Sequence, residues 1–518
     1  MPPFDVLIVG SGPSGVQAAA AAVDLGARVA LADVGETDGA HAVPEQPYAE
    51  LRASDAEQHR YLLGDPDTAL ADLARAGAHL TPPRRYMVRG ADDLFALASD
   101  TFRPLQATSA GGLGVSWGAN VYTLTDAELQ RVRLDPATLR PHYRRVSAAV
   151  GVSGPDDAFG RYIADLPDLQ PPLPIDDNAQ SLLRRYQTSA AAYDRAGFRM
   201  GQAALAVLSR DLGDRRANPL HDMDFYADTG RSVYRPQFTL ESLKRRHNFT
   251  YLPGRLAVSF DEADGAVTLR CRGGEAITAR RLILAAGAIN TGRLVLQSLP
   301  HHGRRLPILC NPNHWVAAID LAMLGRPAGD ARYSLAQLAA VQRVDGEDVL
   351  AQFYSYRSLL TFRVLRGIPL PPRLGVLFMR LIATAFTCVN LHFADEPADT
   401  KYVELDGDAF RAHYALPPAQ ANAVRRGERA MLRRLVGLRC MPIGVTRPSP
   451  GASIHYAGTL PHGDGPLNTA PDGRLNGCRH VYVGDGSSWR WLPAKGLTFT
   501  LMANARRVAE GAVGGLTA

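Results

Sequence analysis

The chain has 518 residues, 46% hydrophobic and 21% charged, a length that accommodates two sizeable cores. Its formal charge of +6 is modest, and the clusters Lys244-Arg245-Arg246, Arg425-Arg426 and Arg433-Arg434 read as solvated helix faces, so no nucleic-acid partner is expected. The five cysteines, Cys271, Cys310, Cys388, Cys440 and Cys478, are odd in number and widely spaced, with no C-x-x-C pair. That pattern argues against a disulfide framework and a zinc site and fits a reducing cytoplasm.

In chain order, Val6 to Val9 form a short apolar run of the kind buried on both faces of a parallel sheet. Gly10, Gly12 and Gly15 follow at G-x-G-x-x-G spacing, with Ser14 in the same turn. Gly10 permits the tight turn, Gly12 admits a pyrophosphate, and Gly15 lets the next helix pack closely. That helix is predicted over Val16 to Leu25, its N-terminus turned to the diphosphate, and Gly26 ends it. Ala27 to Ala32 reads as the second strand, and Asp33 stands where an acid takes ribose hydroxyls. These features call for a dinucleotide, NAD or FAD. They begin a few residues after Met1, leaving no room for a signal peptide.

Residues 39–95 are polar and proline-punctuated, an excursion with helical periodicity only at Asp65 to Arg75. Gly111 to Gly118 is a second glycine-rich loop, followed by Ala119 to Leu124. A proline-rich connection, Leu166 to Ile175, opens a second excursion over 166–235. Phe249 to Leu252, Leu256 to Asp261 and Ala266 to Cys271 read as strands of a small antiparallel unit. Ala276 to Ala279 and Arg281 to Ala285 are two further strands, the second entering Gly287 as a doubly wound sheet returns to its cofactor.

Composition changes over 300–449. Val341 to Tyr356 and Tyr402 to Leu405 suggest a sheet, and Asp408 to Leu438 reads as helical, most clearly after Pro417-Pro418. The apolar stretch from Leu374 to Phe393 is broken by Arg380 and by polar Asn390 and His392, short of a membrane span. It reads as a buried helix feeding a strand. With Arg363, Arg366 and Arg373 nearby, a peripheral membrane contact is the alternative. The fold class is therefore α/β: a doubly wound cofactor domain over 1–299, a mixed α+β substrate domain on an antiparallel sheet over 300–449, and a return to the first domain over 450–518.

Four separated motifs resemble the glucose-methanol-choline (GMC) oxidoreductase family, which binds FAD. They are the opening turn with Ala32-Asp33-Val34-Gly35, and the loop Gly111 to Asn120, which is similar to its pyranose-oxidase version. The others are Leu282 to Asn290, and a closing segment with Ser453 to Thr459, Val481 to Ser487 and Leu497 to Ala503. The resemblance implies FAD and a base at His455, suited by its near-neutral pKa to take a hydroxyl proton while hydride passes to the flavin. Further cofactor contacts are implied at Gly112, Ser116, Gly287, Asp485, Gly496 and Leu497. Asp485 would accept bonds from the ribityl chain or from backbone donors near the pyrophosphate. The helix from Gly496 would turn its positive end to the flavin. His462 faces away on this reading, and His392 and His413 are weaker alternatives to His455.

Two departures stand out. Where the family carries an asparagine or a second histidine beside the base, this chain has Gly496, and Lys495 is the nearest replacement, with a donor from the middle domain as another. Ser116 occupies the place of a histidine that can link to the flavin, so FAD is expected to be noncovalent. The expected activity is oxidation of an alcohol on a sugar, aminocyclitol, nucleoside or other polyol, with oxygen or another electron acceptor. Non-redox, lyase-type chemistry on bound FAD is the alternative that Gly496 leaves open.

Overall fold

The computed structural model describes residues 3–37, 46, 48–58, 60, 61, 80, 82–220, 224, 228, 230–299, 304–327, 329, 333–355 and 370–517. The helical periodicity at 65–75, Arg363 and Arg366 lie outside the described residues.

The first sheet has seven strands, in the order Phe249–Leu252, Val29–Ala32, Phe4–Val9, Ala276–Leu284, Ala266–Cys271, Ala257–Ala263, with Val481–Val483 also on Ala276–Leu284. Its centre is parallel: Val6 pairs with Val29 on one side and with Arg281 on the other. Val6, Leu7 and Ile8 are fully buried, as a strand covered on both faces requires. Phe249–Leu252 was expected in the antiparallel unit; it is instead the parallel edge strand beside Val29–Ala32. Ala276–Leu284 is one continuous strand rather than two. Its first half pairs antiparallel with Ala266–Cys271 and its second half parallel with Val481–Val483. A one-strand window cannot separate these cases, because the partner and not the strand sets the direction.

The first helix, Pro13–Asp24, begins earlier than the apolar periodicity suggests. Pro13 sits at its first turn, where a missing N–H costs nothing. Its alanines pack with the closing helix, Thr498–Thr517, in one core beneath the sheet.

The second sheet is antiparallel and six-stranded: Cys440–Thr446, Asn313–Asp320, Phe386–His392, Glu347–Ser355, Leu338–Val344 and Phe198–Gln202. Its last strand comes from the second excursion, 166–235. Within the stretch read as helical, Ala409–Tyr414 is a strand and only Pro418–Gly437 is helix. That helix lies against one face of the sheet, where the Gly427 backbone meets Val349 and Phe393. Strand period two therefore turns Gln352, Tyr354, Asn390 and His392 to the opposite face, toward the first domain. The helix Pro372–Ile382 does feed the buried strand Phe386–His392, but it is not itself buried. Leu374, Leu377 and Phe378 are 51%, 53% and 40% exposed. No described helix is long and apolar enough to cross a membrane.

Candidate functional site

Between the two sheets runs one continuous cleft. Its lining runs from the Gly10–Ser14 turn of the first domain to Trp315, Gln352 and His392 of the second sheet. Gly10, Gly12, Ser14, Asp33, Gly112, Ser116, Gly287, Asp485, Gly496, Leu497 and His455 all line it. The structure thus brings together residues drawn from almost the whole length of the chain. Gly15 lies just behind, and any side chain there would overlap the carbonyl oxygen of Gly10.

The Gly10–Gly15 turn opens on the cleft. A Cβ on Gly12 would meet no protein atom within 4 Å, so the space beside it is open cleft. Gly112 approaches this turn so closely that its Cβ would lie 3.3 Å from Gly12 Cα, and its φ of +55° also favours glycine. Ser11 ties the two loops: its hydroxyl accepts from the Gly111 N–H at 2.8 Å and donates to the Asp33 carboxylate. Burial pushes the Asp33 carboxyl up to about 7 against the opposing pull of Ser11. Asp33 lines the cleft at the end of the parallel strands, placed to accept ribose hydroxyls.

Two helix N-termini open on the cleft, through Gly12, Pro13 and Ser14 and through Gly496, Leu497 and Thr498. Each presents unpaired N–H groups and a positive dipole end. These features fit a dinucleotide cofactor with its diphosphate at the first terminus and an electron-rich ring at the second. Ser116 is buried in a short 3-10 turn, with its hydroxyl 3.4 Å from the Met87 sulfur.

Asp485 braces the site. One carboxylate oxygen accepts from the Gly287 N–H at 2.8 Å and the Thr291 hydroxyl at 2.6 Å. The other accepts from the Ser487 N–H at 2.9 Å and the Ser487 hydroxyl at 2.6 Å. Of the two kinds of donor expected, ribityl or backbone, the fold supplies backbone N–H groups. Burial raises its carboxyl while these donors pull it down.

His455 is held by Asn311, a residue the sequence reading did not single out. The Asn311 side-chain NH2 donates to the carbonyls of Phe393 at 2.7 Å and Pro493 at 2.8 Å. Its amide oxygen is thereby turned to His455 Nδ1, 3.2 Å away. An amide oxygen only accepts, so Nδ1 carries the ring proton and Nε2 keeps a bare lone pair. Burial lowers the His455 pKa to about 4, below the near-neutral value expected, so the ring is unprotonated and free to accept a proton at neutral pH.

Lys495, by contrast, takes no part in the cleft. The residue is 1% exposed and its ammonium pairs with Glu128 Oε2 at 2.9 Å, neither side chain lining the cleft. The low-dielectric interior demands a partner for a buried cation, and Glu128 supplies one. Gly496 itself carries no donor; a Cβ there would lie 3.8 Å from His455 Cε1. Of the other histidines, His462 is buried against the Thr469 carbonyl, and His413 meets Thr101, neither on the cleft. His392 does line it, with its ring centroid 5.4 Å from that of His455.

The second sheet supplies the remaining wall. Cross-strand register sets Trp315 beside Asn390 and Asn390 beside Gln352. Tyr354 donates to Gln352 at 3.1 Å, Gln352 to Tyr122 at 3.0 Å, and Tyr122 to Asn120 at 3.4 Å. The charged residues on the cleft, Asp33, Arg255, Arg272, Arg293 and Asp485, come from outside this sheet. The signal for the wall was present as buried polar residues two apart, Gln352 with Tyr354 and Asn390 with His392, in otherwise apolar strands. Only the sheet shows which face they share.

The sequence matches no family model and no curated protein. The fold resembles solved structures over essentially the whole chain. One is pyridoxine 4-oxidase from Mesorbium loti, with TM-score 0.56 and 16% identity, covering 98% of each chain. Another is a formate oxidase from Aspergillus oryzae RIB40, studied for the effect of a mutation on FAD modification. Its TM-score is 0.60 at 13% identity, covering 99% of this chain and 98% of that one. The chain therefore shares the fold of these oxidases.

Proposed function

We propose that this chain is an FAD-dependent oxidoreductase of the GMC type that oxidises a neutral alcohol to an aldehyde or ketone. The observation that carries the reading is His455: a neutral imidazole, its tautomer set by Asn311, with Nε2 bare in a cleft that a helix N-terminus also faces. The shared fold, the names of the two oxidases and the four sequence motifs support FAD as the cofactor. When bound, the flavin supplies a two-electron hydride acceptor. Asp33 would hold the ribose, the Gly10–Gly15 turn the diphosphate, and the N-terminus of Thr498–Thr517 would stabilise negative charge at the ring. His455 takes the hydroxyl proton.

Substrate class follows from the wall chemistry. Trp315, Tyr354, Gln352, Asn390 and Asn120 offer aromatic surface and neutral hydrogen-bonding groups, with no charged side chain from the second sheet. A carboxylate, phosphate or ammonium would be desolvated there without a partner. A sugar, nucleoside or similar neutral polyol suits this wall better than a cationic aminocyclitol, a preference the pyranose-oxidase-like loop also supports. FAD is held noncovalently, Ser116 standing where a linking histidine would be, and oxygen or another acceptor reoxidises it.

The test is anaerobic. Purified holoenzyme is mixed with a panel of neutral polyols, charged analogues and simple alcohols, and the yellow flavin band is followed. A neutral polyol should bleach it, and His455→Ala should slow that bleaching by a factor of at least ~100. Full-rate bleaching by His455→Ala refutes the base. No bleaching by any alcohol transfers the reading to non-redox chemistry. Release of the colour on acid precipitation checks noncovalent attachment.

A further inference from the structure

Where the resemblance leads one to look for a second hydrogen-bonding group beside the base, the chain has Gly496. A candidate for the missing group stands on a different element, at the end of the strand Phe386–His392. His392 is 3% exposed, lines the cleft, and has no hydrogen-bond partner on either ring nitrogen. Its ring lies 5.4 Å from that of His455, tilted by 30°. At that spacing one small oxygen can come within hydrogen-bond reach of both rings once the His392 ring turns one of its nitrogens, both buried in this structure, into the cleft. A buried imidazole with both nitrogens unsatisfied is costly to the protein alone, and a ligand oxygen would relieve that cost at one of them.

We propose that His392 is the second hydrogen-bonding group of the active site, donating its N–H to the substrate oxygen while His455 Nε2 receives the hydroxyl proton. This rests on the alcohol-oxidation reading. In the proposed step the O–H proton would move to His455 and the carbinol hydrogen would leave with its electron pair as the C=O bond forms, bound FAD supplying the two-electron acceptor. His392 keeps its own proton, and its hydrogen bond strengthens as negative charge grows on the oxygen. Being neutral, it can donate without repelling the proton arriving on His455. The donor thus comes from the substrate sheet, and Gly496 leaves space between Tyr122 and His455 for the substrate.

The experiment compares His392→Ala, His392→Leu and His455→Ala, and adds Gly496→Asn to His392→Ala. Gly496 lies outside the left-handed region, and an added Cβ meets its nearest neighbours at 3.7 and 3.8 Å, so a Cβ is accommodated there. His392→Ala should keep FAD content and lower kcat/KM roughly 100-fold, the effect of one lost transition-state donor. Restoring a donor with Gly496→Asn should recover at least ~10-fold, which a merely structural role would not allow. Independently of turnover, the apoprotein with His392→Leu should melt higher than wild type, because an unsatisfied imidazole is gone. A lower melting temperature for His392→Leu, or no rescue by Gly496→Asn, overturns the assignment. So does His392→Ala within twofold of wild type while His455→Ala abolishes turnover, and that result leaves the alcohol-oxidation reading standing. Unimpaired His455→Ala would sink the reading itself, with the His392 proposal that rests on it.

Discussion

Asp485 offers a quantitative check on how the site is held. Its two oxygens satisfy four donors, two of them backbone N–H groups of Gly287 and Ser487. Asp485→Ala removes every acceptor at once. The hydroxyls of Thr291 and Ser487 can rotate toward other acceptors, but the N–H groups cannot. Two orphaned, buried N–H groups at about 1–3 kcal/mol each set a loss of about 2–6 kcal/mol. Asp485→Asn keeps one acceptor oxygen. Whichever way its amide is turned, its NH2 group faces one backbone N–H, so one donor is orphaned and the loss is about 1–3 kcal/mol. Both variants loosen the Gly287 turn and should weaken FAD binding in the same order. The assay is denaturant unfolding of the apoprotein at neutral pH, with FAD affinity from flavin-fluorescence titration. Equal losses for Asn and Ala, or a loss below ~0.5 kcal/mol for Ala, would refute the brace and return Asp485 to an ordinary turn residue.

The glycines of the phosphate turn should separate folding from binding. Gly15→Ala puts a methyl group into the Gly10 carbonyl and should abolish soluble, folded protein, whereas Gly12→Ala meets only open cleft and should leave the apoprotein's unfolding midpoint unchanged while weakening FAD. An equally destabilised Gly12→Ala would argue against an open cradle. Acid should act through neutral, buried histidines: His462, 2% exposed, has its pKa lowered to about 4 by burial. Below the unfolded value of ~6.5 the unfolded chain binds a proton that the folded chain refuses, so its contribution is intact above that pH and disappears as pH falls toward 4. The shift amounts to about 3 kcal/mol, and His462→Gln should flatten the pH 4–7 stability profile by a comparable amount. An unchanged profile would contradict a neutral His462. For turnover, His455 remains a base down to about pH 4, so the acid limb of kcat/KM should fall near 4 rather than near 6.5.

The sequence by itself determined the parts whose chemistry is local. A glycine turn needs particular residues at fixed short spacing, because backbone overlap at Gly15 and open space at Gly12 are set within a few residues. The strand–turn–helix–strand opening, the closing Asp485 turn and the His455 loop were legible for that reason, and the structure gathers them on one cleft. Tertiary structure alone decided what depends on partners far apart in the chain. Phe249–Leu252 became a parallel edge strand because Val29–Ala32 lies beside it. Ala409–Tyr414 became a strand because Lys401–Asp406 pairs with it, against its helical reading. Lys495 left the site because Glu128, far away in sequence, supplies its counter-charge. His455 received its tautomer from Asn311, and His392 its place beside the base from the register of a sheet that spans both halves of the chain. A carbonyl, a counter-charge or a neighbouring strand can come from anywhere in the sequence, and only the closed fold says which one arrives.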